Sequence, residues 1–162
     1  MKQQELDIII EKHKLWLRGY DGNRAILKGA NLTGLDLQGA YLTGAYLAGA
    51  NLTDVNLRDV NLRKAYLTHA LLTGAILEGA ILDGVDLRGC EGNDKEIRNI
   101  NGLLYPITYT KDILQIGCEK HTPQEWYGFT DDIIDEMDVN ALYFWQEHKE
   151  QIFKHMQEFP AV

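Results

Sequence analysis

Residues 25–89 read, in consecutive groups of five, AILKG, ANLTG, LDLQG, AYLTG, AYLAG, ANLTD, VNLRD, VNLRK, AYLTH, ALLTG, AILEG, AILDG and VDLRG. The third residue of all thirteen groups is leucine: Leu27, Leu32, Leu37, Leu42, Leu47, Leu52, Leu57, Leu62, Leu67, Leu72, Leu77, Leu82 and Leu87. The first is Ala nine times, Val three times and Leu once, at Leu35, and Cys90 follows at the next such position. An α-helix with 3.6 residues per turn cannot hold a spacing of five on one face, and a simple strand needs a spacing of two. The pattern fits a chain that turns a corner every five residues, with the first and third residues inside and the others outside. Glycine closes nine of the thirteen groups and suits such corners.

These groups resemble the pentapeptide-repeat family, whose pattern is A(D/N)LXX. The resemblance implies a mainly β fold: a right-handed quadrilateral β-helix in which four groups make one square coil, with the leucines and the small first residues stacked inside. Thirteen groups then give about three and a quarter coils, a stack about 16 Å tall at a strand spacing of roughly 4.8 Å. The ends of such a solenoid need covers, both to hide the apolar interior and to block pairing at the open strand edge.

The flanking segments read as those covers, dividing the chain into residues 1–24, 25–90 and 91–162. Between positions 3 and 18, Leu6, Ile9, Ile10, His13, Trp16 and Leu17 fall at helical spacing and Gly19 follows as a stop, predicting an amphipathic capping helix on the first coil. Residues 91–101 are polar and read as a linker. Ile107–Tyr109 and Ile113–Ile116 flank Thr110, Lys111 and Asp112 as a hairpin. Thr122, Pro123 and Glu125 form a capping-box start for a short helix. Residues 131–137 suggest another, and Asp138 is placed to cap a last helix that runs to about position 157. This C-terminal part is a small α+β/helical module. Its stretch ITYTKDILQIGC resembles tails on pentapeptide-repeat proteins of bacteriophage or prophage origin.

Charge is uneven along the chain. Of the net −8, residues 1–24 contribute +1, residues 25–89 contribute −1 and residues 90–162 contribute −8. The balance opposes direct nucleic-acid binding, which needs clustered Lys and Arg. No run of about 18 apolar residues and no leader pattern is present, so the reading is a protein of the bacterial cytoplasm without membrane contact. Two cysteines, Cys90 and Cys118, are too few for a disulfide framework.

With a coil of four groups, residues twenty apart become neighbours. Arg58 then faces Glu78 and Arg63 faces Asp83 as ion pairs, while Thr33, Thr53 and Thr73 form a ladder. Ile26, Tyr46 and Tyr66 line up on one face, with Tyr41 on an adjoining one. Second positions point outward, yet Leu71, Ile76 and Ile81 occupy them in three successive groups. That collar is expected to lie under the C-terminal module or a second subunit, because exposed apolar patches are costly. Tyr41, Tyr46, Tyr66, Leu71, Ile76, Ile81 and the acidic Asp131, Asp132, Asp135 and Glu136 are the candidate interaction residues. The acidic run reads equally as a solvated helix face.

No catalytic motif is found. The glycines belong to the five-residue period, and neither G-x-S-x-G nor a phosphate-binding loop occurs. Cys118 and His121, with His148 and His155, would need separate elements to converge on zinc, and no metal or cofactor is expected. The expectation is a non-enzymatic protein-interaction module that binds a host protein and self-associates through its C-terminal part. The alternative implied by the resemblance is a DNA mimic acting on DNA gyrase or another DNA-binding protein. Duplex DNA carries one charge per roughly 1.7 Å, so a 16 Å stack would need about nine net negatives. The repeats carry −1.

Overall fold

A computed structural model describes all 162 residues, which divide into two compact units, residues 1–93 and 94–162. In the first unit the period of five becomes a coil of four groups. Parallel bridges join residues twenty apart without a break, as in Ile26 to Tyr46 to Tyr66 to Asp86 and Asn31 to Asn51 to Leu71 to Glu91. From Leu27 to Leu72, each third-position N–H donates to the second-position carbonyl of the next coil, for example Leu47 to Tyr66 at 2.8 Å. Within a group the corner closes on itself, since the first-position N–H donates to the leucine carbonyl three residues back, as Ala50 does to Leu47 at 3.0 Å. The last bridge reaches Glu91, so a partial fourteenth group extends the coil into the expected linker.

The corner chemistry explains the family pattern. In a four-residue turn with positive φ at its third residue, glycine is favoured there. Gly49, at φ +65°, is an example. The second-position Asn or Asp accepts from the N–H two residues on, as Asn51 does from Thr53 at 3.0 Å and Asn61 from Arg63 at 3.1 Å. This side-chain turn satisfies a donor the corner leaves free. All thirteen leucines except Leu82 are buried, as are ten of the thirteen first-position side chains and Cys90, while Ala30, Leu35 and Ala80 are half-buried.

Helix α1 (Gln3–Leu17) closes the first coil. It does so with polar atoms as well as apolar ones. The Gln3 side-chain amide donates to the Asp36 carbonyl at 2.8 Å and accepts from the Asp36 N–H at 2.9 Å, standing in for the missing neighbouring strand. The Met1 ammonium donates to the Asn31 carbonyl. Leu6 and His13 are fully buried, whereas Trp16 and Leu17, expected on the same buried face, are 40% and 37% exposed. Leu17 is the last residue of the helix, and Trp16 stacks on the His13 ring.

His13 is the most constrained polar group of this unit. Its Nδ1 accepts from the N–H of Ala25, the first residue of the array, at 3.0 Å, so the ring is held neutral with its proton on Nε2. Burial lowers its pKa from 6.5, opposed by the Thr43 backbone and assisted by the Arg24 charge. The unfolded chain therefore binds the proton more readily, and the stability His13 contributes is complete above about pH 6.5 and is lost as the pH falls below it. Urea midpoints of the native chain are expected to drop between pH 7.5 and pH 5 by more than those of a His13→Gln chain. Parallel pH profiles would exclude this role.

The second unit is an antiparallel meander followed by helices. Strands β1 (Arg98–Ile100), β2 (Ile107–Tyr109), β3 (Leu114–Ile116) and β4 (Glu119–His121) lie in the order β1-β2-β3-β4. The hairpin read around Thr110 is β2 and β3, in register Tyr109 opposite Leu114. Strand β1 falls inside the segment read as a linker: its polar sequence hides the pairing, which is with β2. Helices α2 (Pro123–Gly128), α3 (Asp131–Asp135) and α4 (Ala141–Glu158) follow. Thr122 and Glu125 form the capping box, and the two hydrogen bonds from Thr122 hold the Glu125 carboxyl below its ordinary pKa. The cap of α4 is Asn140, not Asp138. Asp138 lies outside the helix, accepting from the Asn140 N–H and the Tyr105 hydroxyl.

The core of this unit packs Ile107, Tyr109, Leu114 and Ile116 of the sheet with Trp126, Ile134, Phe144, Trp145 and Ile152 of the helices. Its polar tips are paired: Trp126 Nε1 donates to the Leu114 carbonyl at 2.7 Å and the Tyr109 hydroxyl to the Phe159 carbonyl at 2.7 Å. No helix in the chain is long and apolar enough to cross a membrane.

Candidate interaction surfaces

The coil sorts its outward side chains into ladders. Arg58 pairs with Glu78 at 3.4 Å and Arg63 with Asp83 at 2.9 Å, on exposed neighbouring rungs. Such pairs are worth a fraction of a kcal/mol each, about ≤ 1. They also cancel charge on the faces that carry them. The first unit has ten basic and eleven acidic residues, net −1, and the second has six and thirteen, net −7.

The tyrosine candidates separate. Tyr46 and Tyr66 are bridged neighbours with ring centroids 4.8 Å apart. The Arg24 guanidinium lies 3.8 Å over Tyr46 and 5.4 Å from Tyr66, with Trp16 at 5.7 Å, and Arg24 Nε donates to the Gly44 carbonyl at 2.5 Å. That ridge is thus engaged within the unit and helps to fix the segment that joins α1 to the array. The reading of single residues missed Arg24. Extending the frame of five backwards finds it, since residue 24 falls in the corner column of Gly44. Tyr41 stands apart, 56% exposed, on the ladder of Asn61 and Ile81, beside an open groove between α1 and the first coil that Asp7, Glu11 and Asp36 also line.

Leu71, Ile76 and Ile81 sit directly above Asn51, Asn56 and Asn61. Leu71 is 41% and Ile76 38% exposed, and Ile81 is half-buried. The side-chain turn made by each asparagine is not available to an aliphatic residue at the same site. Three consecutive corners therefore forgo a polar cap and present apolar surface instead.

A second departure lies at the corners of one whole coil. Asp54, Asp59, Lys64 and His69 adopt positive φ of 54–57° where other coils place glycine. Left-handed backbone costs a non-glycine residue about 1–2 kcal/mol, less for Asp. Their side chains lie over the glycines of the next coil; a Cβ at Gly74 would meet the Asp54 carboxylate, and one at Gly89 the His69 ring.

In the second unit Asp131, Asp132, Asp135 and Glu136 are all exposed along α3 and its end, with Asp131 accepting from Gln146 Nε2 at 2.8 Å. Cys118 is exposed with its thiol toward Glu119, while the His121 ring packs edge-on against Trp126 and Phe129. Cys90 is buried at the end of the array.

The family model for pentapeptide repeats matches residues 25–63 and 50–89 in eight copies. No curated protein matches the chain at a significant level. Among solved structures, a pentapeptide repeat protein (Rfr23) from the cyanobacterium Cyanothece 51142 is 41% identical over 43% of this chain and 48% of its own length, with a TM-score of 0.42. HetL from Nostoc sp. strain PCC 7120, a pentapeptide repeat protein involved in heterocyst differentiation regulation, is 34% identical over 42% of this chain and 35% of its own, with a TM-score of 0.26. A pentapeptide repeat protein from the Arabidopsis thaliana thylakoid lumen is 25% identical over 41% of this chain and 52% of its own, with a TM-score of 0.29. The chain spans about half or less of the length of these relatives. Residues 90–162 lie outside the family match. Residues 25–89, with their unbroken period of five and bridges every twenty, are thus a pentapeptide-repeat array.

Proposed function

We propose that this protein is a non-enzymatic interaction module, in which a right-handed, four-sided β-helix presents an apolar collar to a protein partner. The observation that carries this reading is the exposure of Leu71 and Ile76 at positions where the coil below places turn-capping asparagines. Apolar residues there give up a local hydrogen bond and face water, a combination that favours binding over folding. The bridges at intervals of twenty support the four-sided coil. A host protein met by a phage-borne chain is the partner class we favour. Mimicry of DNA by the array is disfavoured by its charge, net −1 over the first unit with arginines paired to acids on two ladders.

The test compares the full chain with a Leu71→Asn, Ile76→Asn, Ile81→Asn chain as bait in bacterial lysate. The substitutions restore the family pattern and should leave the fold intact, as circular dichroism would verify. Partners retained by the native bait are expected to be lost from the triple variant. Equal retention would overturn the collar as the binding surface. The same pair of proteins in a gyrase supercoiling assay is expected to show no inhibition, and strong inhibition by both would replace this reading with mimicry.

A further inference from the structure

We propose that the second unit carries its own anchor site: a cleft beside α3 and α4 that takes one aliphatic side chain from a basic segment of a protein partner. This deepens the interaction-module reading and rests on it. The cleft has a volume of about 60 Å³ and runs between Ile116 of β3, Trp126 of α2, Ile134 of α3 and the pair Phe144 and Trp145 of α4. These five side chains are otherwise core, each at most 6% exposed. Protein interiors close nearly all gaps larger than a water molecule, so an unfilled space among three large aromatic rings is unusual for a core. An apolar cleft with a few polar groups at its mouth is the usual form of a binding pocket.

Size selects the anchor. An engineered apolar cavity of about 150 Å³ takes benzene, and a space needs about 10–15 Å³ to hold one water. A space of about 60 Å³ lies between those two, so it takes the branched end of a Leu, Ile or Val side chain and not the ring of Phe or Trp. Charge selects what flanks the anchor. Glu119 and Asp138 stand at the mouth, and the exposed Asp135 and Glu136 lie in sequence between the lining residues Ile134 and Met137. The unit as a whole is net −7. A segment with Lys or Arg on both sides of the aliphatic residue complements that rim, and charge complementarity directs encounter and register at such sites. Tyr105 fixes one side of the mouth by donating to Asp138 and packing edge-on against Phe144. That bond persists over the ordinary pH range, because Asp138 pushes the Tyr105 hydroxyl up to about 12.

Cys118 provides the readout, since its exposed thiol is part of the lining while the other cysteine is buried. The probes are capped peptides Lys-Arg-Leu-Arg-Lys, the same peptide with Ala or Trp in place of Leu, and Glu-Glu-Leu-Glu-Glu. On the full chain, the Leu peptide is expected to slow alkylation of Cys118 by a maleimide in a saturable manner. The Ala peptide is expected to need about tenfold or more higher concentration, as the loss of a buried isopropyl group requires. The Trp and acidic peptides are expected to leave the rate unchanged. Ala141→Leu, which places methyl groups in the cleft, should abolish protection, and Glu119→Lys, which reverses a charge at the half-buried rim, should weaken it. Equal protection by the Leu and Ala peptides, or protection that survives in a folded Ala141→Leu chain, overturns the anchor site. Absence of protection by the Leu peptide overturns it as well. A lysate partner that binds native and Ala141→Leu chains alike would sink this site and leave the module reading standing, whereas the collar variants test that reading separately.

Discussion

Replacing Leu57 by alanine is expected to destabilise the first unit by about 2–5 kcal/mol, read as a lower urea midpoint at unchanged slope. Leu57 is 0% exposed and lies between Leu37 and Leu77 in one column of the coil, themselves 2% and 1% exposed. Its backbone is fixed from both sides: Leu57 N–H donates to the Ile76 carbonyl, and Asn56 N–H to the Leu35 carbonyl. The neighbours cannot sink into the space left, because moving either would break bonds between coils. The cost therefore combines lost burial with an unrelaxed cavity. Leu82, half-buried in the last coil, is expected to cost clearly less on the same substitution. Similar losses at both positions would contradict a stack whose middle is the most rigid part. Because a domain commonly has 5–15 kcal/mol in hand, about 2–5 is a large share.

Gly22→Ala is expected to be the most damaging change outside the coils, although it adds one methyl group. A Cβ at Gly22 would press on the Lys12 carbonyl oxygen, come 2.6 Å from the Trp16 nitrogen and 2.7 Å from the Leu15 Cβ. Two of these three atoms are helix backbone, and no flexible side-chain end can move aside. The chain passes here close over α1 on its way to the array, held by Asn23 N–H donating to Lys12 at 3.1 Å. Relief requires α1 to shift, which strains the contacts of His13 with Ala25 and of Gln3 with Asp36. Overpacking of this kind costs about 1–3 kcal/mol and more where backbone must move. Faster hydrogen exchange at the Ala25 amide should accompany the loss. Gly19→Ala is the control, since Gly19 has φ +76° but open space around it, and only the cost of left-handed backbone, about 1–2 kcal/mol, applies. If Gly22→Ala proved milder than Gly19→Ala, the close approach would be refuted.

The two substitutions mark different degrees of legibility. Leu57 could be placed inside from its position in a period of five, with no other information. Gly22 could not, because nothing in YDGNR shows that a helix backbone ten residues earlier passes within contact of it. The same division runs through the candidate surfaces. The Arg58 and Arg63 ion pairs followed from counting twenty residues along the chain. The engagement of Tyr46 and Tyr66 by Arg24 needed the path by which α1 joins the array, and the strand at Arg98–Ile100 needed its partner β2.

Sequence by itself determined the repeat, its buried leucines and the glycines of its corners. In a solenoid each group touches its own neighbours at a fixed chain separation, so the local pattern and the long-range contact are one signal. Tertiary structure decided the rest: which edge groups Gln3 and His13 satisfy, how far Leu71 and Ile76 are exposed on the coil, and that three aromatic rings of the acidic unit leave a space between them. Those outcomes depend on how residues at irregular separations meet and on volumes too small for any period to encode.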